Sequence, residues 1–344
     1  MRKEVLAVGC ALMVFCGCGK NNAAQHYESG WVAMEKKDYT TAVNEFQQVI
    51  DQNSRLAESY RAEGIAYYSE KAYPEAIAAF SRSLNNMDDP DKEFKKDVQF
   101  YLAQARMDYG EVDKAIEVYS EILKAGEDEQ AFFLRGKAYI SMEDYKNAEK
   151  DFQRALEGCE DYNLYINIYQ IYVDHNKAVD GDAYLKMALE LEPQDGEDCY
   201  HRGRIYEYEK NYEAARDELK TAMEQGYEDA MLLLGRVYLE MEDPASARSM
   251  YQEYLQKSEQ GAKAYNGLAM CDIYDGAYDS ALENIAQGLK ENSKEDEQGL
   301  LYNEIVAYEY KRDFATAKEK MKIYLEQYPE DEAALRENEF LSTR

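Results

Sequence analysis

A pattern of two short amphipathic helices recurs along this chain about every 34 residues, and it limits the possible folds more than any other feature of the sequence. In its clearest copy, residues 60–84, Gly64 and Tyr67 mark the apolar face of the first helix. Ala76 and Phe80 mark the apolar face of the second. Because the stripes are separated by only a few residues, we predict an antiparallel helical hairpin.

The second helix of each copy carries a small residue that is followed, four and eight residues later, by large apolar side chains. The nine small residues are Ala42, Ala76, Ala115, Ala148, Gly181, Ala215, Ala247, Ala281 and Ala317. A second small residue stands twelve positions earlier in most copies, at Gly30, Gly64, Ala103, Gly136, Gly203, Gly235 and Ala269. Small side chains on both helices let the two axes approach closely, so we predict tightly packed hairpins.

This register resembles the tetratricopeptide repeat family, in which a small residue at position 8 and an Ala at position 20 accompany aromatic residues at positions 11 and 17. The tyrosines at position 11 are Tyr67, Tyr139, Tyr172, Tyr206, Tyr238 and Tyr308. The resemblance implies an all-α, right-handed solenoid of about nine such hairpins over residues 25–330. Three residues depart from the pattern. Tyr169 stands where a small residue is expected, and Arg106 and Asp272 stand at position 11, where an aromatic residue is expected.

The starts of five second helices also carry a local sequence signal. Polar residues suited to capping free backbone amides precede five of these helices, at Asp38, Asp144, Asn211, Asp243 and Asp313.

After the last hairpin, residues 331–344 are predicted to form a C-terminal capping helix and tail. In that segment Ala334, Leu335 and Phe340 are expected to cover the exposed face of the final repeat.

The start of the chain has the character of an export signal. Arg2 and Lys3 precede an apolar run over residues 5–15, which is too short to span a bilayer. The small Gly17 before Cys18 resembles a bacterial lipoprotein signal. This resemblance implies a signal peptide over residues 1–17, an acylated Cys18 and a lipidated tether over residues 18–24, which would anchor the protein at the extracytoplasmic face of a bacterial membrane. The alternative is an ordinary leader without lipid.

The charge of the chain argues against binding to nucleic acid. It has 40 Lys and Arg against 69 Asp and Glu, a formal net charge of −29, and it contains no run of basic residues. Such a surface repels phosphate backbones. We therefore predict that nucleic acid is not a partner and that the acidity forms a solvated outer face.

The sequence lacks the residue spacings of an active site. The three histidines, His26, His175 and His201, have no zinc-type spacing, and there is no phosphate loop or nucleophile elbow. The aspartates at 88, 89 and 91 lack the glycine and distal glutamate of a calcium loop. We therefore predict no enzyme activity, no cofactor and no metal site.

If the chain binds a partner, the resemblance implies that it does so on the concave side, at positions 2, 5, 9, 12 and 13 of the first helices. The predicted partner-binding residues at positions 9 and 13 are Lys137, Arg204, Tyr208, Arg236, Tyr274 and Tyr310. Arg and Tyr are typical anchors for a partner's carboxylate or extended segment. The alternative is that these cations neutralise neighbouring carboxylates and the tyrosines fill gaps between repeats.

Two functional hypotheses follow from these features. The first is a membrane-anchored extracytoplasmic scaffold that binds a protein or peptide in a concave groove. The second is a lipoprotein that binds carbohydrate or cell-wall polymer, because aromatic rings in a groove can stack on sugar faces. The carboxylate clamp by which members of this family hold chaperone tails is not present in register.

Overall fold

The computed structural model describes residues 22–87 and 91–344. The predicted signal peptide, the predicted lipidation site Cys18 and the aspartates at 88 and 89 lie outside these residues. Every regular element in the described ranges is an α-helix, so the predicted all-α fold class is confirmed. None of these helices combines the length and the apolar character needed to cross a bilayer.

The described chain divides into two compact units, of which the first ends at Tyr184 and the second begins at Leu185. The first ten helices are α1 (Asn22–Glu35), α2 (Tyr39–Asp51), α3 (Leu56–Ser69), α4 (Tyr73–Asn85), α5 (Lys92–Tyr109), α6 (Val112–Ala125), α7 (Glu129–Ser141), α8 (Tyr145–Ala155), α9 (Tyr162–Asp174) and α10 (Ala178–Leu189). The others are α11 (Gly196–Tyr208), α12 (Tyr212–Glu224), α13 (Ala230–Glu240), α14 (Pro244–Lys257), α15 (Ala262–Tyr274), α16 (Tyr278–Lys290), α17 (Lys294–Tyr310), α18 (Phe314–Gln327) and α19 (Glu332–Ser342). Because α1 begins at Asn22, residues 22–24 of the predicted tether are helical.

The helices from α1 to α18 follow one another as pairs, and each pair is joined by a short turn of one recurring geometry. Each turn contains a residue with left-handed backbone conformation, at Lys37, Lys71, Gly110, Glu143, Asn176, Lys210, Glu242, Gly276 and Arg312. In the fourth pair, the amide of Asp144 then donates to the carbonyl of Tyr139 at 2.9 Å. This is the hydrogen bond of a Schellman ending, and it satisfies carbonyls at the end of the first helix.

A substitution at the left-handed position of a turn should raise or lower the free energy of unfolding, depending on which residue the position holds. Glu143 has a φ of 58°, a conformation that costs a residue other than glycine about 1 to 2 kcal/mol. We therefore expect Glu143→Gly to raise the free energy of unfolding by about 1 kcal/mol. The matched control is Gly110→Ala at a φ of 89°, where a Cβ would contact nothing within 4 Å, so any loss reports backbone strain alone. Urea unfolding checks both variants, and two changes of the same sign would contradict the argument.

The predicted caps are confirmed at all five positions. The side chains of these residues accept hydrogen bonds from the backbone amide three residues later, in Asp38, Asp144, Asn211, Asp243 and Asp313. Each of them therefore satisfies an amide that has no partner inside its own helix.

The predicted close approach of paired helices is confirmed by the contacts of the small residues. A Cβ atom added to Gly64 would lie 2.6 Å from the ring of Phe80, and one added to Gly136 would lie 2.7 Å from the ring of Phe152. Both rings are fully buried. The absence of a side chain on one helix is therefore what admits the large ring of the other.

The fifth pair, where the sequence departs from the pattern, reverses this arrangement. Here Tyr169 occupies the usual small site of the first helix, and its ring faces Gly181 of the second helix, where an added Cβ would lie 3.1 Å away. Tyr169 is buried. The large and small partners have thus exchanged helices while the close contact is kept.

The eighth pair contains a buried charge where most copies have tyrosine. Asp272 accepts hydrogen bonds from Arg248 Nη1 and from Asn284 Nδ2, both at 2.7 Å. Arg248 also donates to Asp275 at 2.9 Å. Because both oxygens of Asp272 have partners, the carboxylate can remain charged inside the packed helices.

The last helix, α19, packs on the ninth pair. Ala334 and Leu341 of this helix are fully buried against α17 and α18. The expected covering residues Leu335 and Phe340 are instead exposed, because they lie on the other face of the helix. Asp331 caps α19 and accepts a hydrogen bond from the Tyr324 hydroxyl at 2.6 Å, which joins the cap to the end of α18.

Candidate functional site

A cavity of about 790 Å³ lies within the second unit, among the helices of the sixth to ninth pairs. We call it the repeat cavity. Its walls come from α11, α13, α14, α15 and α17 and from the connections before α15 and α17. The lining includes Tyr200, Asp229, Leu232, Arg236, Tyr251, Tyr254, Gln260, Lys263, Asn266, Gly267, Met270, Glu291, Ser293, Glu295, Asp296 and Gly299.

The repeat cavity is lined by first-helix positions to which the family resemblance assigns the concave side. In the seventh pair these are Asp229, Leu232 and Arg236, and in the eighth pair Lys263, Asn266 and Met270. Residues spaced by three and four share one face of a helix. Two successive helices therefore present equivalent faces to the same space.

Arg236 is held at the cavity wall by a two-point ion pair. Its Nε and Nη2 atoms lie 2.5 and 2.6 Å from the two carboxylate oxygens of Glu207 on the preceding pair. The guanidinium side chain is 57% exposed, whereas that of Glu207 is only 15% exposed. This geometry fixes the guanidinium plane and neutralises its charge.

Some other polar groups of the wall also have partners. Lys263 Nζ lies 3.3 Å from a carboxylate oxygen of Glu295 and 3.9 Å from one of Asp296. Asn266 accepts a hydrogen bond from the side-chain amide of Asn303 at 2.8 Å. The eighth and ninth pairs are thus joined by polar contacts along this wall.

Tyr251 lies between two glycines and contributes an aromatic wall. A Cβ atom on Gly235 would lie 2.6 Å from its ring, and a Cβ atom on Gly267 would lie 2.3 Å from it. Tyr200 and Tyr254 also line the cavity. Burial raises the pKa of the hydroxyls of Tyr251 and Tyr200, so both rings are neutral at ordinary pH.

The structure brings one of the six predicted partner-binding residues, Arg236, to the repeat cavity. Arg204 lies on the same face of α11 as Tyr200 but faces its ring at 5.9 Å and contacts His201 Nδ1 at 3.2 Å. Lys137 is exposed on α7 in the first unit. These two predicted residues do not line the cavity.

The predicted tyrosines lie one turn further along their helices, outside the cavity lining. Tyr274 and Tyr310 are 54% and 59% exposed, and Tyr208 is also exposed. The Tyr310 ring stacks on Tyr278, with centroids 6.0 Å apart and an interplanar angle of 21°. These three tyrosines are thus exposed on the second unit at positions that do not line the cavity.

Several cavity residues were not singled out by the sequence analysis. Reading positions 2 and 5 of the seventh and eighth pairs would have found Asp229, Lys263 and Asn266. The polar joint after α16, residues 291–293, supplies Glu291, and the start of α17 supplies Glu295 and Asp296. No spacing rule marks the joint as a wall, because it lies between two repeats.

The described residues contain no group of three or more His, Cys, Asp or Glu side chains placed to hold a metal ion. The thiols of Cys199 and Cys271 are buried in the helical core. Burial raises the pKa of the Cys271 thiol to about 11, and it also raises the pKa of Cys199. Neither thiol is therefore ionised as a nucleophile would be.

Comparison with family models decides the family. A model described as tetratricopeptide repeat matches residues 27–91, 200–262 and 232–297, and another of the same description matches residues 129–161. Together these matches cover more than half of the chain. The chain belongs to the tetratricopeptide repeat family. The helical pairs are accordingly called TPR repeats from here on.

Several solved structures are similar to this TPR chain over much of their length. YrrB, described as a TPR protein with an unusual peptide-binding site, is 26% identical over 55% of this chain and 97% of its own, with a TM-score of 0.36. A TPR protein from Parabacteroides merdae is 16% identical, covering 83% and 99%, with a TM-score of 0.45. Yeast Tom70 is 14% identical, covering 88% and 84%, with a TM-score of 0.47. A comparison with curated proteins gives no match.

Proposed function

We propose that this TPR chain is a membrane-anchored extracytoplasmic scaffold that holds an extended segment of a partner protein or peptide in the repeat cavity. The observation that carries the proposal is the cavity itself, because equivalent first-helix positions of the seventh and eighth repeats line one space of about 790 Å³. That volume lies within the range typical of ligand sites.

The chemistry of the cavity suits a polypeptide. Gln260 and Asn266 offer amide donors and acceptors to a partner's backbone, while Leu232 and Met270 offer apolar surface for its side chains. Helices hold these groups in place except for Gln260, which lies in the connection before α15, so the protein itself loses little conformational entropy when a segment binds.

The proposal is tested by filling the cavity. The full chain in detergent is used to select peptides from a displayed random library, and their affinities are measured by calorimetry. Met270 lines the cavity and is 41% exposed, so Met270→Trp should add a bulky ring to the space without disturbing the core. We expect the dissociation constant to rise at least about tenfold, a loss of about 1.4 kcal/mol of binding free energy.

The matched control is Met142→Trp, which makes the same change at a methionine that is 45% exposed in the first unit. This variant should bind the selected peptides as the wild type does. Both variants should keep the wild-type melting temperature, because neither methionine is in the core. Equal affinities for wild type, Met270→Trp and Met142→Trp would remove the cavity as the binding site.

The membrane anchor is the second part of the proposal, and it depends on acylation of Cys18. Two or more acyl chains hold a protein stably on a bilayer because each buried methylene contributes about 0.8 kcal/mol. In a bacterial host the wild-type chain should therefore partition into the detergent phase of a Triton X-114 extract, whereas Cys18→Ala should lose this lipid-dependent partitioning. Mass spectrometry of the mature N-terminus checks the modification. An unmodified Cys18 in wild-type protein would contradict the anchor.

A neutral glycan is the second candidate ligand, and the exposed rings of Tyr274 and Tyr310 favour it. Flat aromatic rings accessible to solvent can stack on sugar faces. Defined neutral glycans should then give calorimetric heat that is lost in a Tyr274→Ala, Tyr310→Ala double variant and kept in Met270→Trp. This pattern is the opposite of the one expected for peptides.

A further inference from the structure

The cations of the repeat cavity already have partners within the protein. Arg236 forms two short hydrogen bonds with Glu207, and Lys263 lies within ion-pair distance of both Glu295 and Asp296. An acidic group of a ligand would have to displace one of these carboxylates. The cavity therefore offers little uncompensated positive charge.

Two carboxylates of the wall, Asp229 and Glu291, differ in their contacts from the paired charges. Asp229 precedes α13 without capping it, and Glu291 lies just after α16. Within residues 22–87 and 91–344, neither side chain forms a hydrogen bond or an ion pair. Both are exposed to the cavity and to solvent. They are available to a positively charged ligand.

The total charge of the lining has the same sign. The charged side chains that line the cavity are Asp229, Glu291, Glu295, Asp296, Arg236 and Lys263. Four negative charges therefore face two positive ones, and Glu207 adds another negative charge behind Arg236. A cavity lined mainly by one sign of charge concentrates ligands of the opposite sign. The net charge of −29 on the whole chain acts in the same direction.

The aromatic wall favours the same kind of ligand. Of the lining tyrosines, Tyr251 and Tyr254 are buried, whereas Tyr200 is partly exposed and already has the Arg204 guanidinium 5.9 Å from its ring centroid. The negative face of a tyrosine ring attracts such cationic groups. Carboxylates that supply hydrogen-bond acceptors beside such rings can hold both the charge and the apolar stem of a long basic side chain. The face of a tyrosine ring offers no such attraction to a glutamate or aspartate side chain.

We propose that the repeat cavity selects a partner segment by a lysine or arginine side chain, which binds at the free carboxylates Asp229 and Glu291 beside the partly exposed Tyr200 ring. This inference rests on the proposed function, since it names the chemistry of the segment that the cavity holds. The cationic positions identified in the sequence favour a carboxylate of the partner, whereas this inference assigns a ligand group of the opposite charge.

The test compares the residues enriched in peptides selected on two forms of the full chain in detergent. One form is wild type, and the other is the double variant Asp229→Asn, Glu291→Gln, which keeps the shape of both side chains and removes both charges. A control variant, Glu253→Gln with Glu283→Gln, removes two other carboxylates, neither of which lines the cavity. Selected peptides are then resynthesised with Lys, norleucine or Glu at the enriched position.

We expect wild type and the control variant to enrich Lys or Arg at one position, and the double variant to lose this enrichment. Replacing that Lys by Glu should weaken binding to wild type at least about tenfold, since two ion pairs become two repulsions. The double variant should lose most of the difference in affinity between the Lys and norleucine peptides.

Enrichment of Asp or Glu, or a preference for Lys that survives in the double variant, would overturn this inference. The proposed function would still stand in either case if Met270→Trp abolishes binding. If wild type selects no more peptides from the library than Met270→Trp does, that result would contradict both the proposed function and this inference.

Discussion

Replacing Arg248 with methionine should lower the free energy of unfolding by about 3 kcal/mol, because the change leaves a buried carboxylate without its cation. The side chain of Asp272 is 6% exposed, and that of Arg248 is 29% exposed. In the variant only Asn284 continues to hydrogen-bond to Asp272. Methionine keeps the apolar stem of arginine, so the loss reports the charge rather than a cavity. Urea unfolding followed by circular dichroism measures it.

Two further variants separate this effect from the loss of any arginine. Arg336→Met breaks an exposed pair with Glu332 on α19 and should cost less than about 1 kcal/mol. Adding Asp272→Asn to Arg248→Met removes the buried charge, so most of the lost stability should return. A loss for Arg248→Met no greater than that for Arg336→Met would show that Asp272 is not held as a buried anion.

The replacement Gly267→Ala should lower the free energy of unfolding by about 2 kcal/mol, although alanine is normally the better helix former. Its Cβ would lie 2.3 Å from Tyr251 Cζ and 2.5 Å from the two neighbouring ring carbons. The ring cannot move away, because Gly235 packs against it. A Cβ atom added to Gly235 would lie 2.6 Å from the ring. The helices must therefore separate, which should appear as a lower melting temperature.

The chain provides a matched control in the next repeat. Gly299 also lies inside a first helix, but a Cβ there would meet only the end of the Asn266 side chain, at 3.3 Å. Gly299→Ala should therefore leave stability unchanged or raise it by up to about 1 kcal/mol. Equal losses for the two variants would mean that helix packing around Tyr251 is looser than the structure indicates.

Much of the fold can be predicted from sequence because each repeat states its own packing rule. Small residues such as Gly64 and Gly136 mark where large rings pack, and Asp144 marks where a helix begins. The spacing of these signals predicts the helix pairs directly. The reversal at Tyr169 and Gly181 was visible only as a departure, since a spacing rule does not say which helix supplies the large side chain.

The candidate site could be predicted only in part. The register identifies Arg236 and Met270 as groove positions, because every first helix presents the same face. It cannot show that Glu207 neutralises Arg236, since that pair joins two repeats and depends on their separation in space. Nor can it show that Glu291 reaches the cavity, because the joint that carries it has no repeat register. The register therefore marks Arg236 as a cation at this wall but does not reveal the carboxylate that neutralises it.

Amide hydrogen exchange of the full chain, with and without the tightest selected peptide, tests the central claim most directly. If the repeat cavity holds the segment, exchange should slow in residues 229–236, 260–270 and 291–299 and stay unchanged throughout the first unit. Slowed exchange confined to residues 22–174, with no change in residues 229–299, would contradict a binding site in this cavity.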